Sequence, residues 1–134
     1  MKIKNVVVIG SGTMGSGIAA HLCNANIPVT LLDLYTEISE NARERIHKSR
    51  PPLLIDKSKI ENIKVGNIED DFSVVEQADW VVEAVVERID IKHQIYEKIF
   101  KSRKDGAIVS SNTSSIPIKV LSQNLNKEQK KDFC

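Results

Sequence analysis

Three glycines, Gly10, Gly12 and Gly15, follow the apolar run Val6-Val7-Val8-Ile9 in the spacing G-x-G-x-x-G. The spacing has chemical meaning only where a strand runs into it and a helix starts inside it. The sequence meets both conditions: the apolar run is the pattern of a strand covered on both faces, and Met14, Ile18 and Leu22 recur at helical spacing. Each glycine then has its own duty. Gly10 permits the tight turn, Gly12 lets the backbone approach a pyrophosphate, and Gly15 lets the helix pack closely on the strand. The anion would sit on the free amides of the helix start, around Thr13 and Met14, where the helix dipole is positive. A tight turn with no ligand is the alternative reading of the same glycines.

A second group of residues extends this chemistry. Asp33 closes the apolar run from Pro28 to Leu32 and lies 18 residues beyond Gly15, where a dinucleotide-binding fold places the acid that binds the adenosine ribose. A carboxylate there repels a 2′-phosphate, and the next residue is Leu34 rather than an arginine, so NAD is favoured over NADP. A surface aspartate at a strand end is the alternative. The run Trp80 to Val86 contains Glu83 and is closed by Glu87. Ligands of open α/β sheets collect beyond the carboxyl ends of strands, which makes Glu87 the functional candidate. Glu83, an acid inside a strand, needs a partner or protonation, and is either paired to the backbone of a neighbouring loop or turned to a sheet edge. The cluster Ser111-Asn112-Thr113-Ser114-Ser115 either faces the same crevice or lends a serine as N-cap to a helix begun by Pro117. Lys92 falls in the first turns of the next helix, where most lysines are solvated.

The elements that must position these residues alternate regularly. Strands are expected at Val6 to Ile9, Pro28 to Asp33, Ile60 to Ile68, Trp80 to Val86 and Ala107 to Ser110. Helices are expected from the glycine turn to Asn24–Asn26, over Glu37 to Lys48 with Thr36 as N-cap and Pro51-Pro52 as stop, briefly over Asp70 to Gln77, and over Ile89 to Ser102. Strands alternating with helices predict an α/β fold of Rossmann type, a doubly wound, mostly parallel sheet with helices on both faces.

A length of 134 residues suits one domain, and 41% hydrophobic with 28% charged residues is an ordinary globular composition. A formal net charge of +1 gives no electrostatic case for nucleic acid or an anionic membrane surface. No apolar stretch reaches the length of a membrane span, and the amino terminus enters a strand without a signal-peptide core, so a cytoplasmic or other reducing compartment is expected. Cys23 and Cys134 have no metal-binding or redox spacing, and no metal site is expected.

Three segments together carry a family resemblance: Ile-Gly-Ser-Gly-Thr-Met-Gly-Ser-Gly-Ile-Ala (9 to 19), Ala-Asp-Trp-Val-Val-Glu-Ala-Val-Val-Glu (78 to 87) and Ser-Asn-Thr-Ser-Ser (111 to 115). In this order they resemble the NAD-binding domain of L-3-hydroxyacyl-CoA dehydrogenases. The resemblance implies that Asp33 holds the adenosine ribose and that Glu87 and Lys92 lie near the nicotinamide half of NAD. It also implies that Asn112 and Ser114 approach the nicotinamide ribose and the substrate's 3-hydroxyl, as the catalytic residues within this chain. The reaction implied is hydride transfer between a 3-hydroxyacyl-CoA and NAD, as in fatty-acid β-oxidation or butanoate-type metabolism.

The family's catalytic histidine, in a His-Phe-Phe-Asn-Pro-like segment, would follow Cys134, and its helical dimer-forming domain later still. The expectation is therefore an NAD-binding domain over residues 1–134 that lacks both, with acyl-CoA bound and a homodimer formed only by the longer protein. His21, His47 and His93 fall on helices and receive no catalytic role. Ser49 to Asn67 is shorter than in many members, so no CoA contact is carried over. Two alternatives stand beside this one. A non-catalytic NAD-binding regulatory module shares the glycine turn, and so does a 3-hydroxyisobutyrate or 6-phosphogluconate type dehydrogenase, which would not carry the second and third segments.

Overall fold

Val6–Ile9 form strand β1, and all four residues are buried, because β1 lies at the centre of a five-stranded sheet. The computed structural model describes residues 2–134. The remaining strands are β2 (Val29–Asp33), β3 (Ile63–Asn67), β4 (Trp80–Glu83) and β5 (Ile108–Ser111). Their order is β3-β2-β1-β4-β5, and every pairing is parallel. The direction of winding reverses at β1, which has β2 on one side and β4 on the other. The carboxyl ends of these three strands open the crevice in which such sheets bind ligands.

Helices α1 (Thr13–Asn24) and α2 (Thr36–Lys48) cover one face of the sheet. There Ala19, Ala20, Leu22, Ala42 and Ile46 pack on Val6, Val8, Val29, Leu31 and Ile63. The other face is covered by α3 (Ile89–Ser102), a 3-10 turn at Phe72–Gln77 and the short helix α4 (Ile118–Leu121). Here Phe72, Val75, Tyr96, Ile99 and Leu121 meet Val7, Ile9, Leu32, Val81 and Val109. A last turn, α5 (Lys127–Lys130), is held by a capping box between Asn126 and Gln129. Phe133 then forms an isolated parallel bridge to Val109 and takes a sixth strand position beside β5.

The doubly wound reading holds; most element ends shift by one or two residues, and four expectations change by more than that or in kind. β4 ends at Glu83, so Glu87 lies in the following loop and does not close the strand. β3 starts at Ile63, since residues up to Asn62 belong to a 3-10 helix, Lys57–Asn62. Thr36 is the first helical residue of α2. The extended Tyr35 is its N-cap, and the Thr36 hydroxyl accepts from the Asn67 side chain instead. Pro117 itself is the N-cap of α4, with no side-chain cap, so no serine of 111–115 serves there.

Candidate functional site

The turn after β1 separates the three glycines by what surrounds them. Gly10 has φ +105°, and a Cβ on it would stand 2.4 Å from the Ala84 carbonyl oxygen in the loop after β4. A Cβ on Gly15 would stand 1.8 Å from the Gly10 carbonyl oxygen. These two are demanded by the fold. A Cβ on Gly12 would meet nothing within 4 Å. Gly12 therefore faces open space, and the absence of a side chain there keeps a cradle clear. No side chain caps α1, whose first hydrogen bond runs from Ser16 N to the Gly12 carbonyl at 2.9 Å. The amides of Thr13, Met14 and Gly15 precede that bond and have no intrahelical acceptor, as an anion cradle requires.

Asp33 stands at the end of β2 beside this turn. Its Oδ2 accepts from the Ser11 amide at 2.8 Å and the Ser11 hydroxyl at 2.5 Å, and Oδ1 accepts from the Leu34 amide at 2.7 Å. The Ser11 carbonyl in turn accepts from the Ser16 hydroxyl and from Arg45 on α2, at 3.0 and 3.1 Å. The aspartate thus holds the glycine turn in place, and its Oδ1, with one donor, keeps acceptor capacity. Neither Ser11 nor Arg45 is a fixed position of a motif that the sequence displays. Only the position of Ser11 between two functional glycines could have marked it.

Across the crevice the loops after β4 and β5 are tied together by charge. Glu83 is fully buried on an inner strand rather than at a sheet edge, and the backbone of the following loop is one of its partners, as the first of the two sequence readings expected. Its Oε2 accepts from Lys92 Nζ at 2.6 Å and from the Val85 amide at 2.9 Å, and its Oε1 from the Tyr96 and Ser111 hydroxyls at 2.5 and 2.6 Å. Lys92 is also fully buried, against the expectation of a solvated side chain, and its ammonium reaches Glu87 Oε1 at 3.1 Å. Glu87 Oε2 accepts from Thr113 and Ser115 at 2.8 and 2.7 Å. Those two hydroxyls, with Lys92, hold the Glu87 carboxyl down to a pKa of about 2. Burial and the facing Glu83 push the Tyr96 hydroxyl well above its usual range, so it stays a donor.

Asn112 and Ser114 lie on this wall. The Asn112 amide donates to the Glu83 carbonyl at 2.7 Å. Among the described residues, the Asn112 and Ser114 side chains make no intramolecular hydrogen bond, in contrast to Thr113 and Ser115. The structure therefore brings together Gly10, Gly12, Thr13, Met14, Gly15 and Asp33 on one side of the crevice. Glu87, Lys92, Asn112 and Ser114 lie on the other, with the Lys92 ammonium turned inward. The histidines are elsewhere: His93 bonds the Val120 carbonyl and Asn124, and His21 and His47 lie along α1 and α2. The described residues form no cluster that could hold a metal ion, and no helix is long and apolar enough to cross a membrane.

Sequence and structure comparisons agree with this layout. Residues 5–133 match the family model described as "3-hydroxyacyl-CoA dehydrogenase, NAD binding domain". A Deinococcus radiodurans protein named "Probable 3-hydroxyacyl-CoA dehydrogenase" is 45% identical over 125 residues, covering 88% of this chain and 36% of that protein. The crystal structure of FadB2 from M. tuberculosis superposes with a TM-score of 0.85 at 28% identity, over 99% of this chain and 48% of the other. That of 3-hydroxybutyryl-CoA dehydrogenase from Escherichia coli gives 0.84 at 25% identity, over 99% of this chain and 29% of the other. The chain thus spans less than half the length of each of the three. The open cradle at Gly12, with an acid at the end of β2, is what an NAD site needs of its chain, and with a match over nearly every residue the chain belongs to the 3-hydroxyacyl-CoA dehydrogenase family, whose NAD-binding domain it carries.

Proposed function

We propose that the crevice above β1, β2 and β4 holds NAD(H) for the interconversion of 3-hydroxyacyl-CoA and 3-ketoacyl-CoA by a longer protein. The observation that carries this reading is the turn at Gly12, an uncapped helix start with empty space where a Cβ would stand and the Asp33 carboxylate beside it. The amides around Thr13 and Met14 would bind the pyrophosphate, and Asp33 Oδ1 an adenosine-ribose hydroxyl. Glu87, Asn112 and Ser114 would line the nicotinamide half, with the unpaired Asn112 amide and Ser114 hydroxyl orienting the reacting hydroxyl of the substrate. NAD, when bound, supplies the hydride acceptor.

No histidine of this chain reaches that wall. General-base catalysis is commonly worth about two to four orders of magnitude in rate, so the chain by itself should bind the cofactor and turn over poorly. The domain reading, residues 1–134 as a cofactor domain, follows. The acyl-CoA contacts and a homodimer interface would come from the rest of the polypeptide, in keeping with the share of each relative that this chain spans. Two free cysteines fit a reducing, cytoplasm-like compartment.

NADH fluorescence titration of the chain tests the reading. Saturable binding is expected, with NADPH weaker, because its 2′-phosphate meets the Asp33 carboxylate and no free arginine at Leu34. A folded sample that shows no saturable NADH binding up to millimolar concentration would overturn it.

A further inference from the structure

We infer that Glu83 is a positioning residue which, through Lys92, sets the spacing of the two loops that form the nicotinamide wall; this rests on the cofactor reading above. The connections close into a ring. From Glu83 at the end of β4, an ion pair runs to Lys92 on α3, from Lys92 to Glu87 in the loop after β4, and from Glu87 to Thr113 and Ser115 in the loop after β5. Within that second loop the chain returns to Ser111 and Asn112, which donate to the Glu83 side chain and main-chain carbonyl. One residue thereby anchors both loops and the first turns of α3.

The atoms of the ring are fully used. Each Glu83 oxygen accepts two hydrogen bonds, the capacity of a carboxylate. The Lys92 ammonium, with no exposed surface, divides its donors among Glu83, Glu87 and the Val85 carbonyl. Lys92 therefore acts through Glu87 rather than by touching a ligand. Thr113 and Ser115 are both fastened to the same Glu87 oxygen, so Ser114 between them is held from either side while its own hydroxyl stays unpaired. Apolar pairs of similar volume often serve a core as well as a buried ion pair does, so packing alone does not explain an acid and a lysine at these two positions. Their side chains tie the crevice ends of β4 and β5 on the side of β1 opposite β2 and Asp33, which assigns them to one half of the site.

The test separates the two halves. ADP carries the adenosine and pyrophosphate without the nicotinamide, so it reports the glycine turn and Asp33 alone. In Glu83→Gln, NADH affinity should fall by roughly tenfold while ADP affinity stays within about twofold. Equal losses for both ligands, or none for either, would overturn the inference. Should Glu83→Gln not fold, Tyr96→Phe removes one donor to Glu83 with the ring packing kept, and it should move the NADH to ADP ratio in the same direction by about threefold. An unchanged ratio in Tyr96→Phe would then overturn it. Wild-type chain that binds no NADH would remove the cofactor reading and this inference together; wild-type binding with an unchanged ratio in the variants removes this inference alone.

Discussion

A methyl group added at Gly12 and one added at Gly15 meet opposite surroundings, and the two substitutions should therefore separate binding from folding. Gly12→Ala points into open space at an ordinary φ of −70°, so stability should stay within about 0.5 kcal/mol of wild type while NADH binding weakens by tenfold or more. Gly15→Ala drives a Cβ onto the Gly10 carbonyl, and should lower stability by about 2 kcal/mol or more with binding lost as well. Urea denaturation beside NADH titration checks both; a Gly12 variant that binds normally would refute the cradle. Residues of this kind were legible in the sequence, because their roles depend on backbone geometry that only glycine satisfies. Asp33 was legible for a related reason, its distance along the chain from the glycines. The connections among Glu83, Lys92, Tyr96 and Ser111 were not. Locally they read as an acid interrupting a strand, a helix lysine, an aromatic on an apolar helix face and one serine of a polar cluster, and their pairing arises only when α3 lays Lys92, Tyr96 and Ile99 over the ends of β4 and β5. The signal that could have found them is the one-face spacing of 92, 96 and 99 next to an acid with no partner inside a buried strand.

At the scale of elements, two carboxylates join parts of the chain that are far apart in sequence, and both titrate in acid. Glu87 ties the loop after β4 to the loop after β5, with its pKa lowered from 4.5 to about 2. Asp79, at the entry to β4, pairs with Lys104 and accepts from the Lys4 and Asn5 amides ahead of β1, which lowers its pKa from 3.8 to about 2. In both cases the folded state holds the proton less tightly than the unfolded chain. The stabilisation is thus complete above the unfolded pKa and is lost as pH falls through the folded one. Unfolding free energy should drop between about pH 4.5 and 2. In Glu87→Gln the drop should shrink, the variant being less stable than wild type at neutral pH and approaching it near pH 2. Identical pH slopes in urea titrations of the two would refute the tie. Strand boundaries were the less legible part at this scale: β4 stops at Glu83 because the carboxylate turns back to the Val85 amide, a local closure that an apolar run through Val86 conceals.

For the whole molecule, the alternation of strands and helices carried the parallel, doubly wound reading, while the sixth strand position is a tertiary outcome. Phe133 packs edge-on to Tyr96, with ring centroids 5.0 Å apart, and its neighbours Asp132 and Cys134 exchange main-chain hydrogen bonds with β5. Phe133→Ala should cost about 2–3 kcal/mol in urea denaturation, at the lower end for a buried aromatic because the residue lies at the sheet's edge. A change under about 0.5 kcal/mol would mean that this segment adds nothing to the fold. At the opposite end of β4 sits Trp80, half-buried toward α1, with its indole donating to the Ser110 hydroxyl. It is the sole tryptophan of the chain, three strand residues from Glu83, or about 10 Å at the usual rise. Tryptophan emission overlaps the absorption of reduced nicotinamide and not that of the oxidised form. The molecule consequently carries a built-in optical donor beneath its own binding crevice, whose light should dim when NADH enters and stay bright when NAD does.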